Sequence, residues 1–304
     1  MRRVVVIGDS AAGFSAIQSI ISQGAQLQLT VISSAPHPPC NKALFLDLLS
    51  GKIAEKDIFL CAQDFYSRHG VESHKPAQVS RLDTKRQKVV LKDNTKIDYE
   101  YLIIASGSEF ELPDIQGTGK DGVFAFGTLE GVRQIRQRLE LSPVACLVGG
   151  SEECLALSKA MHKAREIKII SARKPEGLIS DEHAEWIEEA GLSEIIAEAS
   201  ELKAVKLSSG KVIGTELVVF AGERKPRSAF LKDSGVTTDE KGYILVDQSM
   251  RTNVANIFSC GSVCREQGET GRIIVWESAW AEGAQAAASV ISLQRGMPLC
   301  QQTS

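Results

Sequence analysis

Val4-Val5-Val6-Ile7 is an unbroken β-branched run, the pattern of a strand covered on both faces of a parallel sheet. Phe14 to Ile21 sets its apolar residues at helical spacing and Leu27 to Ile32 is strand-like again, so the chain is expected to open as strand, helix, strand. Pro36, Pro38 and Pro39 impose a loop, and a short helical pattern from Leu44 to Leu49 follows, closed by Gly51. Residues 79–105 read as two antiparallel strands and a third, with Val89-Val90-Leu91 turning at Asp93-Asn94 before the buried run Tyr101 to Ala105. The same succession returns at half-chain. Val144 to Val148 predicts a strand, residues 149–154 a loop, Leu155 to Lys163 a helix and Ile167 to Ser171 a strand. Residues 201–222 then hold a hairpin turning at Ser209-Gly210 and a buried strand from Leu217. A helix from Glu277 to Leu293 follows, and its Ala284, Ala286, Ala287 and Ala288 suit either helix packing or close ligand approach.

The first strand and helix are joined by Gly8-Asp9-Ser10-Ala11-Ala12-Gly13. Gly8 permits a sharp turn, a small residue at Ser10 lets backbone approach a pyrophosphate, and Gly13 lets helix pack closely on strand. Ala11 and Ala12 then fall where a helix N-terminus aims its amides at an anion. Ser33 and Ser34 end the second strand, where a dinucleotide fold often carries an acidic residue for the ribose hydroxyls. Serines offer that ribose hydrogen bonds without charge assistance. At half-chain the equivalent loop is Gly149-Gly150-Ser151-Glu152-Glu153-Cys154. Glu152 and Glu153 oppose a pyrophosphate by like charge, yet acidic residues in a first helical turn also stabilise the helix dipole, and both readings stay open. Arg173 and Lys174 suit a 2′-phosphate or an exposed loop equally well.

A chain of 304 residues, 43% hydrophobic and 24% charged, is long enough for two domains with real cores. Its net charge of -3 carries no electrostatic footprint for nucleic acid or an anionic membrane. The seven cysteines form no C-x-x-C pair, so reduced thiols in the cytoplasm are expected. Met1-Arg2-Arg3 precedes too short an apolar run for a signal peptide, and no stretch approaches the ~20 apolar residues of a membrane span. His37, His69 and His74 lack metal-ligand spacing, so no metal site is expected.

Together these residues resemble the pyridine nucleotide-disulfide oxidoreductase superfamily, in the branch of rubredoxin and ferredoxin reductases and the flavoprotein part of NADH-dependent nitrite reductases. The likeness rests on Val6 to Gly13, on Tyr101 to Ser108, and on Ala221-Gly222-Glu223-Arg224-Lys225-Pro226. It is supported by Gly242 to Asp247 with Arg251-Thr252, and by Asn256 to Gly261. The resemblance implies an α/β fold of two Rossmann-like three-layer domains with β-hairpin insertions, the second inserted into the first. Residues 1–116 and 246–304 would form a discontinuous FAD-binding domain and 117–245 an NAD(P)-binding-like domain. The superfamily's C-terminal interface domain is expected to be absent, and with it a monomer or a dimer built through another surface is expected. FAD is the implied cofactor, contacted by Gly8, Ser10, Ala11, Ala12, Gly13, Ser33, Ser34, Lys42, Ala105, Ser106, Gly107, Gly261 and Ser262.

Several positions depart from the superfamily pattern. Gly261-Ser262 stands for a Gly-Asp that holds the ribityl chain, and Asp47 with Ala156 replaces a lysine–glutamate pair beside the flavin. Ser151 and Cys154 replace the second and third glycines of the nicotinamide loop. Cys40 stands near the expected flavin but outside the motif of the disulfide reductases, so it is read as a packed thiol, as are Cys260 and Cys264. An FAD-dependent oxidoreductase or electron-transfer flavoprotein is expected, exchanging electrons with a small redox protein or larger redox complex, with a degenerate NAD(P)H site. The competing reading is a non-catalytic nucleotide-binding subunit that retains the fold. No catalytic residue is identified.

Overall fold

The structure, a computed structural model, describes residues 1–110, 112–174, 184–188, 191–269 and 275–297. Cys300 lies outside them. The chain divides into two compact units, one of residues 1–41, 59–108 and 225–304 and one of residues 42–58 and 109–224.

In the first unit the apolar runs become Arg2–Ile7 (β1) and Leu27–Ile32 (β2), with helix Ala11–Ser22 (α1) between them, and the polar segment Glu72–His74 adds a further strand (β3). They join a five-stranded parallel sheet in the order Ile257–Ser259, Tyr101–Ile104, β1, β2, β3. Val4, Val5 and Val6 are fully buried, as the unbroken apolar run requires of a sheet covered on both faces. The strand order reverses beside β1, which makes its carboxyl end the switch point where open α/β sheets bind ligands. Strands Val79–Asp83, Lys88–Leu91 and Lys96–Asp98 form a separate antiparallel sheet, and the closing helix is Trp276–Gln294.

The second unit repeats this plan. Its parallel sheet runs Ala184–Glu188, Glu166–Ser171, Val144–Gly149, Leu217–Ala221, Val123–Ala125. A three-stranded antiparallel sheet of Leu192–Glu198, Glu201–Leu207 and Val212–Gly214 accompanies it. The helix expected from Leu155 begins earlier, at Ser151. The cause is local: with no third glycine the residues before Leu155 can all take helical backbone, and Glu152 and Glu153 favour a first turn.

Three stretches fall outside the expected domain limits. Residues 225–245 belong to the first unit, and residues 109–116 and 42–58, the latter including helix Phe45–Ser50, belong to the second. That helix packs on helices Leu129–Leu139 and Ser151–Ala160, with Phe45 edge-on to Phe126 and the Arg133 guanidinium bonded to Glu55. Gly51 ends it in the left-handed region at φ 79°. No helix among the described residues is long and apolar enough to cross a membrane.

Candidate dinucleotide site

The loop from Gly8 to Gly13 is built by contacts that leave no room for a side chain. A Cβ on Gly8, whose φ is +94°, would stand 2.1 Å from Ala105 O, and one on Gly13 would stand 1.9 Å from Gly8 O. The loop thereby lies flat between β1, α1 and Ala105. Ser10 is the N-cap of α1 but its side chain does not cap, and the first turn carries no acidic residue. Phe14 N donates to Ser10 O, while the amides of Ala11, Ala12 and Gly13 meet no acceptor among the described residues. Three converging donors at a positive helix end, with no acidic residue in the first turn, fit a pyrophosphate.

The remaining walls come from distant parts of the chain. A Cβ on Gly283 of the closing helix would stand 2.0 Å from Ala12 O, and Ser15 Oγ donates to Trp280 O at 2.7 Å. Ala286 and Ala287 are fully buried, so in this helix small residues serve packing. Gly261, at φ 79°, lies against Ala12, and its amide donates to the buried Glu282 carboxylate at 2.7 Å. Ser262 Oγ accepts from Ser108 Oγ at 3.1 Å, Gly107 lies beside Ser262, and Ser106 Oγ donates to Arg227 O at 2.7 Å. Ala105, Ser106, Gly107, Gly261 and Ser262 are thus brought together with the glycine loop in one unit.

Three expected residues stand differently. Ser33 is buried and its Oγ accepts from Ala35 N within its own turn; Ser34 is exposed. Lys42 is exposed and belongs to the second unit. Asp47, also in that unit, lies 3.5 Å from Lys52 Nζ near the surface.

Sequence reasoning passed over Asp9. It is buried, and its Oδ2 accepts from Lys75 Nζ at 2.5 Å and from Tyr66 Oη at 3.2 Å. Lys75 Nζ donates also to His37 O and lies 5.5 Å from the centre of the Tyr66 ring. Burial, together with the Asp9 carboxylate, pushes the Tyr66 phenol far above its ordinary range. Lys75, Tyr66, His37, Cys61, Gln63 and Ser73 line a cavity of 340 Å³. Burial raises the Cys61 thiol to about 11 against the opposing pull of Lys75. The available signal was a charged residue placed inside a loop whose other members are all small.

The loop of the second unit answers the question its sequence left open. A Cβ on Gly149 would stand 2.3 Å from Ala221 C, so the strand-end glycine keeps its function. Helix Ser151–Ala160 then starts on Gly150, one loop position sooner than α1 starts on Ser10, and Cys154 N donates to Gly150 O. Glu153 Oε2 folds back over Gly150, 2.5 Å from where a Cβ would be. A carboxylate over the N-terminus takes the space and the charge that a pyrophosphate needs, so these residues do not fit one.

The two sheets and the first unit's phosphate loop define a two-unit dinucleotide-binding α/β protein. The chain belongs to the pyridine nucleotide-disulphide oxidoreductase family, whose model matches residues 2–283. It is 25% identical over 309 residues to apoptosis-inducing factor 3 of Mus musculus, covering 95% of this chain and 51% of that protein. It is 25% identical over 285 residues to the assimilatory nitrate reductase electron transfer subunit of Bacillus subtilis (strain 168), covering 88% of this chain and 36% of that protein. The chain therefore spans about half or less of the length of these two relatives. Among solved structures it resembles a chain of the covalent putidaredoxin reductase-putidaredoxin complex, with TM-score 0.86 and 18% identity, covering 99% of this chain and 77% of that one.

Proposed function

We propose that this chain is an FAD-binding oxidoreductase or electron-transfer flavoprotein, its first unit holding FAD and its second unit a degenerate NAD(P)H site. The carrying observation is the contrast between the two helix starts: free amides and no acid at α1, a carboxylate folded over Gly150 in the second unit. In this reading the backbone of Ser10 to Gly13 binds the pyrophosphate. Ala105, Ser106, Gly107, Gly261 and Ser262 flank the cofactor's ribityl side, with Ser262 as a neutral donor where a carboxylate would otherwise sit. FAD, when bound, supplies hydride and single-electron chemistry, and the chain supplies orientation and dipoles. Electrons pass to or from a small redox protein or a larger redox complex, as the names of the nitrate reductase subunit and the putidaredoxin complex suggest for those proteins. The six cysteines among the described residues form no disulfide with one another, in accord with a cytoplasmic location.

The purified protein is expected to show flavin absorption in the near-ultraviolet and blue and to release FAD on denaturation. A protein that stays colourless after incubation with excess FAD overturns the reading. A second reading, a nucleotide-binding subunit without electron transfer, is favoured by Glu153 over Gly150. The two are separated by photoreducing the bound flavin and adding ferricyanide. Rapid reoxidation supports the flavoprotein, and a reduced flavin that persists supports the silent subunit.

A further inference from the structure

We propose that Asp9 is the carboxylate that selects the adenosine ribose of the dinucleotide, in place of an acid at the end of β2. The proposal rests on the FAD reading above. In the sheet order β2 lies between β1 and β3. Asp9 follows β1 and Lys75 follows β3, so their ion pair spans the carboxyl end of β2, where the ribose of a bound dinucleotide is held. The residue from which an acid would reach that ribose, Ser33, is buried and uncharged with its Oγ accepting from Ala35 N, and Ser34 faces solvent. A charge is thus missing at the end of β2 and present two loops away over the same spot.

The arrangement of the pair decides between an anchor and a plug. Both donors, Lys75 Nζ and Tyr66 Oη, converge on one oxygen, Oδ2. No donor among the described residues engages Oδ1. A pair whose purpose was to fill the crevice would satisfy both oxygens, since a buried acceptor left unmade is costly. Asp9 is instead fixed by one oxygen, leaving the other to accept from a vicinal diol. Lys75 is held in turn by His37 O, so the carboxylate keeps its orientation while only 6% of its side chain is exposed.

ADP, the adenosine half of FAD, and 2′-deoxy-ADP are the probes, titrated against the flavin-free full chain by calorimetry, with FAD followed in parallel by flavin fluorescence. The wild-type chain is expected to prefer ADP by about tenfold or more, the discrimination of a hydrogen bond to a charged group. Asp9→Asn is expected to bring that ratio close to one. Because Asp9→Asn leaves Lys75 buried without its counter-ion, Asp9→Asn/Lys75→Met is measured beside it, and the same loss of preference is expected there. Adding Ser33→Glu to the double variant should restore the preference. If FAD binds to all of them and the ratio survives in both Asp9 variants, Asp9 is not the ribose anchor and this proposal alone fails. Tighter ADP binding in the double variant identifies the pair as a plug and also overturns it. If the wild type binds neither FAD nor ADP, the flavoprotein reading fails and takes the proposal with it.

Discussion

At Gly13 the contact that sets the loop is backbone against backbone, so nothing can step aside for a larger residue. Gly13→Val is expected to cost about 3 kcal/mol and to lower Tm by roughly 6–12 °C, together with loss of flavin, as followed by thermal unfolding. Lys75→Met should cost about 3–5 kcal/mol in denaturant unfolding, because it strands the Asp9 carboxylate in a buried place, and a variant as stable as wild type would contradict the pair's burial. The thiols give a pH signature. Burial raises Cys146 to about 11 and Cys154 to about 12, and Cys260 well above its usual range. In the unfolded chain these thiols ionise near pH 8.5, so above that pH the unfolded state has released protons that the folded state keeps. Stability is therefore full below about pH 8 and falls as pH rises toward 11; urea titrations at pH 7 and pH 10 check the sign. Glycine spacing made the Gly8 and Gly13 contacts legible in the sequence. Asp9 was not, because its meaning depends on Lys75, which the topology brings back beside it from 66 residues away.

For the elements, the apolar periods located the parallel strands at Arg2, Leu27, Tyr101, Val144, Glu166 and Leu217, α1 and the closing helix closely, since each is decided by its own buried face; the short strands Glu72–His74, Val123–Ala125, Ala184–Glu188 and Ile257–Ser259 were not read, because three to five residues show too little period. The start of helix Ser151–Ala160 was not legible, because two acids beside a glycine pair suit a loop and a helical turn alike. Its outcome carries a functional expectation. With Glu153 over Gly150, bound flavin should be reduced slowly or not at all by millimolar NADH or NADPH under anaerobic mixing, whereas bleaching within a second would show that the site works. Glu153→Gly should strengthen nicotinamide nucleotide binding measured by calorimetry, and lower stability by about 0.3–1 kcal/mol through loss of a favourable charge at the helix start. If Glu153→Gly leaves that affinity unchanged, the carboxylate is not the obstacle.

On the scale of the whole molecule, each unit carries its own hydrophobic core, one around Val4, Ile103 and Phe258 and one around Cys146, Val205 and Val218. The doubling of the fold was legible because the strand-loop-helix succession occurs twice. The membership of residues 42–58 was not, since their short helix shows an apolar face but not which unit covers it. Because FAD would bind the first unit alone, calorimetric unfolding with the cofactor at 100 times Kd should raise that unit's transition by about 2.7 kcal/mol and leave the other in place. Two transitions moving together would show that the units unfold as one. Finally, the phosphate loop leans on a helix whose Trp280 is 265 residues from its Ser15. A ribosome adding about 5–20 residues each second needs on the order of 10–50 s to cross that gap. Throughout that interval the nascent loop lacks the wall that Gly283 provides, and the face of α1 that meets the closing helix stands uncovered. Cofactor loading must then follow release of the closing helix from the ribosome, and chaperone demand should peak before it.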